Sequence, residues 1–277
     1  MSNIPVLIHK ALHALGTLTA WTAGLFVVFY FLERWDGAEP GRYWSRHFAT
    51  DLLYRLFYGG GIIRLFIYVP LAAVLHLQGF PQPLVSLDRI PGWILLPTTV
   101  LLSDFLGYWL HRFEHSRYWW RFHRVHHSQE HLTFLTGYRH HPFDWILGDS
   151  MTLILILLGA PTIAWLPYRL FSTFQGAASH AELHWKLGPV RYLFVSPVFH
   201  SIHHSTDRQS FDRNFGQVLS LWDYLFGTAS SLQERPARTG ITDDPLPENI
   251  ALQVVMPVAE LFAAFRRSEP SGSDVRG

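Results

Sequence analysis

Three stretches of this chain carry almost no charge, and they limit what it can fold into. Residues 14–32 and 150–168 contain no Asp, Glu, Lys or Arg, and residues 90–110 contain only Asp104. A weaker apolar run, LFIYVPLAAVLHL at 65–77, follows Gly59-Gly60-Gly61. A bilayer core takes about 20 apolar residues per helical crossing. Several such runs in 277 residues predict a polytopic membrane protein rather than the core helices of a soluble one. The first run is long and ends in FLERW, so it does not read as a cleaved leader. Only 16% of residues are charged, against about a quarter in soluble chains.

The expected architecture is all-α, with about four transmembrane helices in two hairpins and a cytosolic, helical, histidine-rich cap. Residues 1–110 would hold the N-terminal spans: a first crossing at 14–33, a polar connection at 34–50, then helices at 51–78 and 90–112. Pro81, Pro83 and Pro91 forbid continuous helix between the last two. Residues 111–228 would form the catalytic region, with a shallow hairpin embedded at 146–178 and broken at Gly159-Ala160-Pro161. Residues 229–277 read as a polar tail. Arg112, Arg117, Arg121 and Arg124 directly follow a spanning helix. Positive residues there place that end in the cytoplasm.

The polar residue this chain uses most distinctively is histidine. Thirteen of its 17 histidines lie between residues 111 and 204. They form HRFEH (111–115), HRVHH (123–127), the pair His180 and His184, and HSIHH (200–204). Spacings of three and four put side chains on one helical face, so each word can aim two or three imidazoles at one point. Neutral imidazole suits iron, zinc, copper and nickel rather than magnesium or calcium. Ten histidines at ligand spacing are enough for two metals with about five ligands each: His111, His115, His123, His126, His127, His180, His184, His200, His203 and His204. There is no cysteine, which excludes thiolate sites and iron–sulfur clusters. The net charge of +1 gives no sign of nucleic-acid binding. His9, His13, His47, His76, His131 and His140 read as surface or interfacial residues.

The ordered words HRFEH, HRVHH and HSIHH resemble the HxxxH, HxxHH, HxxHH signature of the fatty acid hydroxylase/sterol desaturase superfamily, which are integral membrane di-iron oxygenases. SDFLGYWLHR before the first word, RHHP at 139–142, QGAASHAEL at 175–183 and NFG…LWDYLFGT at 214–228 extend the resemblance over roughly residues 100–228. It implies two Fe2+ ions, which zinc can replace in purified samples, held at those histidines. It also implies O2-dependent hydroxylation or desaturation of a lipid, with electrons from an external donor, cytochrome b5-like or a ferredoxin with its reductase. His180 matches a histidine that follows a QG-type stretch in the family. His184 matches only the branches with a paired HxxxH, and Glu182 stands where many bacterial relatives have Asn. Glu182 is therefore a candidate ligand or orienting group.

Asp104, on the helical face of His111, is expected to accept a hydrogen bond from a ligand imidazole, as metal-bound histidines usually require. His141, Asn214 and Asp223 are candidates for the same orienting work, and Asp223 could equally make a local cap. Trp119 and Trp120 suit an interfacial belt or the substrate entrance. No protein acid or base stands out beyond the metal centre. A membrane metallohydrolase with Glu114 or Glu182 as base is the enzyme alternative. A metal transporter or histidine pH sensor is the non-enzymatic one.

Overall fold

The structure is a computed structural model that describes residues 4–39, 43–56, 83–87, 89–243 and 245–268, with the backbone alone at 4–12, 14 and 15. It is built from helices, and among the described residues there is no strand, only two isolated β-bridges. In chain order these helices are α1 (Ile4–Trp35), α2 (Arg46–Tyr54), α3 (Gly92–Glu114), α4 (Trp120–His127), α5 (Pro142–Leu157), α6 (Thr162–His180), α7 (Pro197–His203), α8 (Leu221–Leu225) and α9 (Ile250–Ser268).

Two helices are long and apolar enough to cross a membrane, Gly16–Trp35 within α1 and Gly92–Glu114, which is α3. Most of the expected crossing at 51–78 lies outside the described residues. Over the expected 146–178 stretch a helical hairpin forms as α5 and α6, with its break where GAP was read, and neither helix is among the two long and apolar enough to cross. Gly159 makes that turn possible. Its φ is +73°, and a Cβ there would sit 2.0 Å from the Val85 carbonyl oxygen. Pro142 opens α5 at the first turn, where its missing N–H costs nothing. Part of the expected polar tail is ordered helix: α9 packs on α4, with the Tyr54 hydroxyl donating to Gln253 at 2.7 Å and an Arg124–Glu260 ion pair.

α3 packs against both α5 and α6, and α6 against α7. The C-terminal ends of α3 and α6 meet the short helices α4 and α7, and all four bring their histidines together. α4 is rich in polar and aromatic residues, yet six of its eight residues are buried. One side of it meets the imidazoles of its neighbours, while Val125 packs on Leu246, Ile250 and Val254.

Candidate metal centre

Two groups of imidazoles converge in this junction. His111, His115, His123, His127 and His203 form one, and His126, His180, His200 and His204 form the other. Within each group the candidate ligand nitrogens lie within 4.8 Å of one another. The HxxHH words do not each aim at a single point. In α4, His123 and His127 serve the group of five while His126 serves the group of four. In α7 the allocation reverses, with His203 in the first group and His200 and His204 in the second. The i, i+4 pair takes one direction and the third imidazole diverges from it. The His127 and His204 rings stack across the join at 4.4 Å.

Backbone carbonyls fix many of the rings. Nδ1 of His111 lies 2.7 Å from the Phe215 oxygen, His203 2.7 Å from Arg213, His180 2.7 Å from Gly176 and His126 3.2 Å from Arg139. A carbonyl only accepts, so Nδ1 must carry the proton in these neutral rings, and Nε2 is left as a bare lone pair. In the second group the fixed lone pairs of His126 and His180 face each other, while Nδ1 of His200 and His204 is buried without a partner. His126 and His200 approach His180 at 3.2 and 3.0 Å between Nε2 atoms, and His204 approaches His200 at 3.2 Å. Lone pairs so placed repel unless a cation lies among them. Ligand nitrogens about 2.1 Å from a tetrahedral ion would be separated by roughly 3.4 Å. In the first group Nε2 of His115, His123, His127 and His203 is buried with no hydrogen-bond partner. Buried polar atoms are seldom left so. Both groups therefore fit a metal.

Burial first, and the neighbouring imidazoles second, push His123, His126, His127, His200, His203 and His204 well below the ordinary histidine range. They are neutral at physiological pH, as ligation requires.

The structure does not bring His184 to either group. Its side chain is 53% exposed, with Nδ1 3.0 Å from an Asp36 oxygen. α6 ends at His180 and the chain turns into an extended Ala181, which carries His184 away. Glu182 leaves with it, its backbone N–H donating to Glu33 at 2.8 Å. Asp104 bonds no imidazole. It accepts from the Tyr168 hydroxyl (2.8 Å), Trp222 Nε1 (2.9 Å) and the backbone N–H groups of Val218 and Leu219 (3.2 and 3.1 Å), tying α3 to α6, to α8 and to the segment before it. His141 caps α5 through Phe143 N–H and reaches the Val254 oxygen at 2.9 Å, so it too holds structure.

Asp223 and Asn214 act on the centre through the backbone. Asp223 accepts from Phe215 N–H (2.8 Å), Gly216 N–H (2.7 Å) and the Thr228 hydroxyl (2.6 Å). This holds the Phe215 carbonyl against His111. A Cβ on Gly216 would lie 2.9 Å from Asp223 Oδ2, so the turn admits only glycine. Asn214, at φ +59°, donates to the Phe199 oxygen and accepts from Ser230 N–H.

Four residues matter here that were not read as ligands or as orienting groups. Asp51 of α2 is fully buried and accepts from Gln129, Thr133, Thr136 and Arg139, which fixes the loop whose Arg139 carbonyl holds His126. Glu114 and Asp144 lie 3.5 and 3.8 Å from His123 Nδ1. His140, read as a surface residue, stacks on His126 at 4.3 Å and 5°. A signal for Asp51 was its place as the lone acid between Glu39 and Asp88.

Beside the histidines lies a cavity of about 240 Å3, walled by α3, α5 and α6. Leu110, Met151 and Leu155 contribute apolar wall, and Ser103, Thr152 and Thr173 contribute hydroxyls. Residues 96–228 match the fatty acid hydroxylase family, and that segment holds every histidine of both groups. Over that segment the chain resembles this family. It is similar to ornithine lipid hydroxylase OlsE of Rhizobium tropici, 30% identical over 187 residues that make up 67% of this chain and 55% of the relative. Human alkylglycerol monooxygenase is 29% identical over 137 residues, 48% of this chain and 30% of that one. Methylsterol monooxygenase 1-3 of Arabidopsis thaliana is 27% identical over 179 residues, 61% and 57%. The chain thus spans between about a third and just over half of these relatives. No solved structure matches.

Proposed function

We propose that this protein is a membrane-embedded di-iron oxygenase that hydroxylates or desaturates a C–H bond of a lipid. The observation that carries the reading is the pair of convergent imidazole groups, five and four, opening on one cavity. The lipid monooxygenases and hydroxylases among the relatives support it. In the hydroxylating form the balance is R–H, O2, two electrons and two protons giving R–OH and water, and the electrons come from an external carrier.

When bound, the iron pair supplies O2 reduction and the power to take hydrogen from an unactivated carbon. His111, His115, His123, His127 and His203 would hold one ion, and His126, His180, His200 and His204 the other. The carbonyls of Phe215, Arg213, Gly176 and Arg139 keep the Nδ1 protons in place, so Nε2 stays available and the rings cannot swing. The α5–α6 hairpin closes the cavity from the bilayer side and aligns the substrate. A volume near 240 Å3 accommodates part of a lipid and leaves the remainder among the membrane chains. The metal side faces the cytoplasm by the arginine bias after α3.

The test is anaerobic purification with metal analysis, followed by 18O2 labelling and lipidomics of cells with and without the gene. About two irons per chain and an 18O-bearing or unsaturated lipid are expected. Products unchanged by His126→Ala and His203→Ala, with altered metal uptake, would sink the reading and favour a transporter.

A further inference from the structure

A buried metal pair that consumes electrons needs a place where a carrier can approach it. Of the nine clustered histidines, His115 alone is half-buried as a whole residue, and its side chain, 8% exposed, lies just beneath the surface. Its Nδ1 lies 3.4 Å from Asp212, a carboxylate 75% exposed on the surface. Beside it the half-buried Trp120 indole lies 5.1 Å, ring centre to ring centre, from both His115 and His127. Here one aromatic ring separates two candidate ligands from the surface. The other near wall of this group, Phe215, is 2% exposed and lies inside the fold.

The charge around this corner is one-sided. Arg112 and Arg213 both act on the Asp212 carboxylate. Arg117 is exposed in the turn between α3 and α4, and Arg121 follows Trp120, its guanidinium bonded to the Tyr118 oxygen. Two arginines thus act on the acid, and two more lie on the adjoining turn and the first turn of α4. Surface charge of one sign steers a partner of the other and speeds encounter. A half-exposed tryptophan is a common anchor at such contacts.

Resting on the di-iron reading, we propose that the Trp120–His115 corner is the electron port: a small acidic one-electron carrier protein docks on Arg117 and Arg121, and its electron enters through Trp120 to the five-histidine site. Each docking oxidises the carrier by one electron and reduces one ferric ion to ferrous. Two dockings prime one turnover. Acidic lipid headgroups are the competing occupant of these arginines, because they too lie near a membrane end.

The experiment uses the full chain, iron-loaded, in nanodiscs of neutral lipid and of anionic lipid. Reduction of the ferric centre is followed by anaerobic stopped-flow absorbance, with a reduced acidic [2Fe–2S] ferredoxin or with dithionite. For the wild type, the ferredoxin rate should fall steeply with salt. Arg117→Glu/Arg121→Glu should lower that rate about tenfold or more at low salt and flatten its salt dependence, with iron content and the dithionite rate unchanged. Trp120→Leu should slow the step at saturating ferredoxin while leaving the salt dependence as it was. Equal ferredoxin rates in wild type and both variants would overturn the port, as would a wild type that ferredoxin does not reduce. An effect of the arginine changes seen only in anionic nanodiscs would assign those side chains to lipid. Failure to bind iron, or to be reduced by dithionite, would instead strike the di-iron reading itself.

Discussion

At the scale of single residues, the centre depends on side chains that never touch a metal. Asp223 holds two backbone N–H groups and thereby the carbonyl that fixes His111. Asp223→Asn replaces one of its acceptor oxygens with a donor, and the Phe215 turn loses its anchor. Groups of this kind are worth about 10–100-fold in metal affinity, and a competition titration with a chromophoric chelator should show a loss of that size. His184→Ala should leave metal content and affinity unchanged, since its ring bonds Asp36 in solvent. On the di-iron reading, His126→Ala should reduce bound metal from two ions per chain towards one, read by mass spectrometry of the native protein. The difference between the two histidines was not legible in sequence. Both sit at ligand spacing, and what separates them is where α6 ends.

At the scale of elements, two long apolar helices and the break between α5 and α6 were written in composition, because long uncharged runs and prolines act locally. The contacts that lock the elements were not, since they join residues far apart in the chain. Asp104 stands seven positions before His111 on the same helical face, yet its acceptors are spent on α6, α8 and the segment before it. Asp51 lies 88 positions from Arg139, and the pair defines the loop behind His126. Backbone carbonyls have no signature in residue identity, so four of the groups that set the imidazole tautomers could not be named beforehand. The hairpin tip gives a direct test. Gly159→Ala puts a Cβ against Val85 and demands a left-handed residue, at a cost of about 2 kcal/mol or more. Thermal unfolding in detergent should show a Tm lower by about 4–8 °C.

At the scale of the whole molecule, six buried histidines held well below the ordinary range link stability to pH. The unfolded chain takes up these protons at about pH 6.5, the ordinary histidine value, whereas the folded chain resists them. Below that pH the unfolded state therefore holds more protons, and stability falls as pH drops. Metal release adds to the loss, because protons compete for the same nitrogens. Unfolding midpoints should be flat above about pH 7 and decline steadily towards pH 5, with the metal lost over the same window.

The crossed allocation of the two HxxHH words carries a consequence for loading. α4 and α7 each send imidazoles to both groups. On the di-iron reading, an ion captured in one group would steady both helices and with them the imidazoles of the other group. The first ion would then bear most of the ordering cost and the second would arrive at a finished cradle. A titration of the apoprotein should show positive cooperativity, with empty and doubly filled chains dominating and singly filled chains scarce throughout.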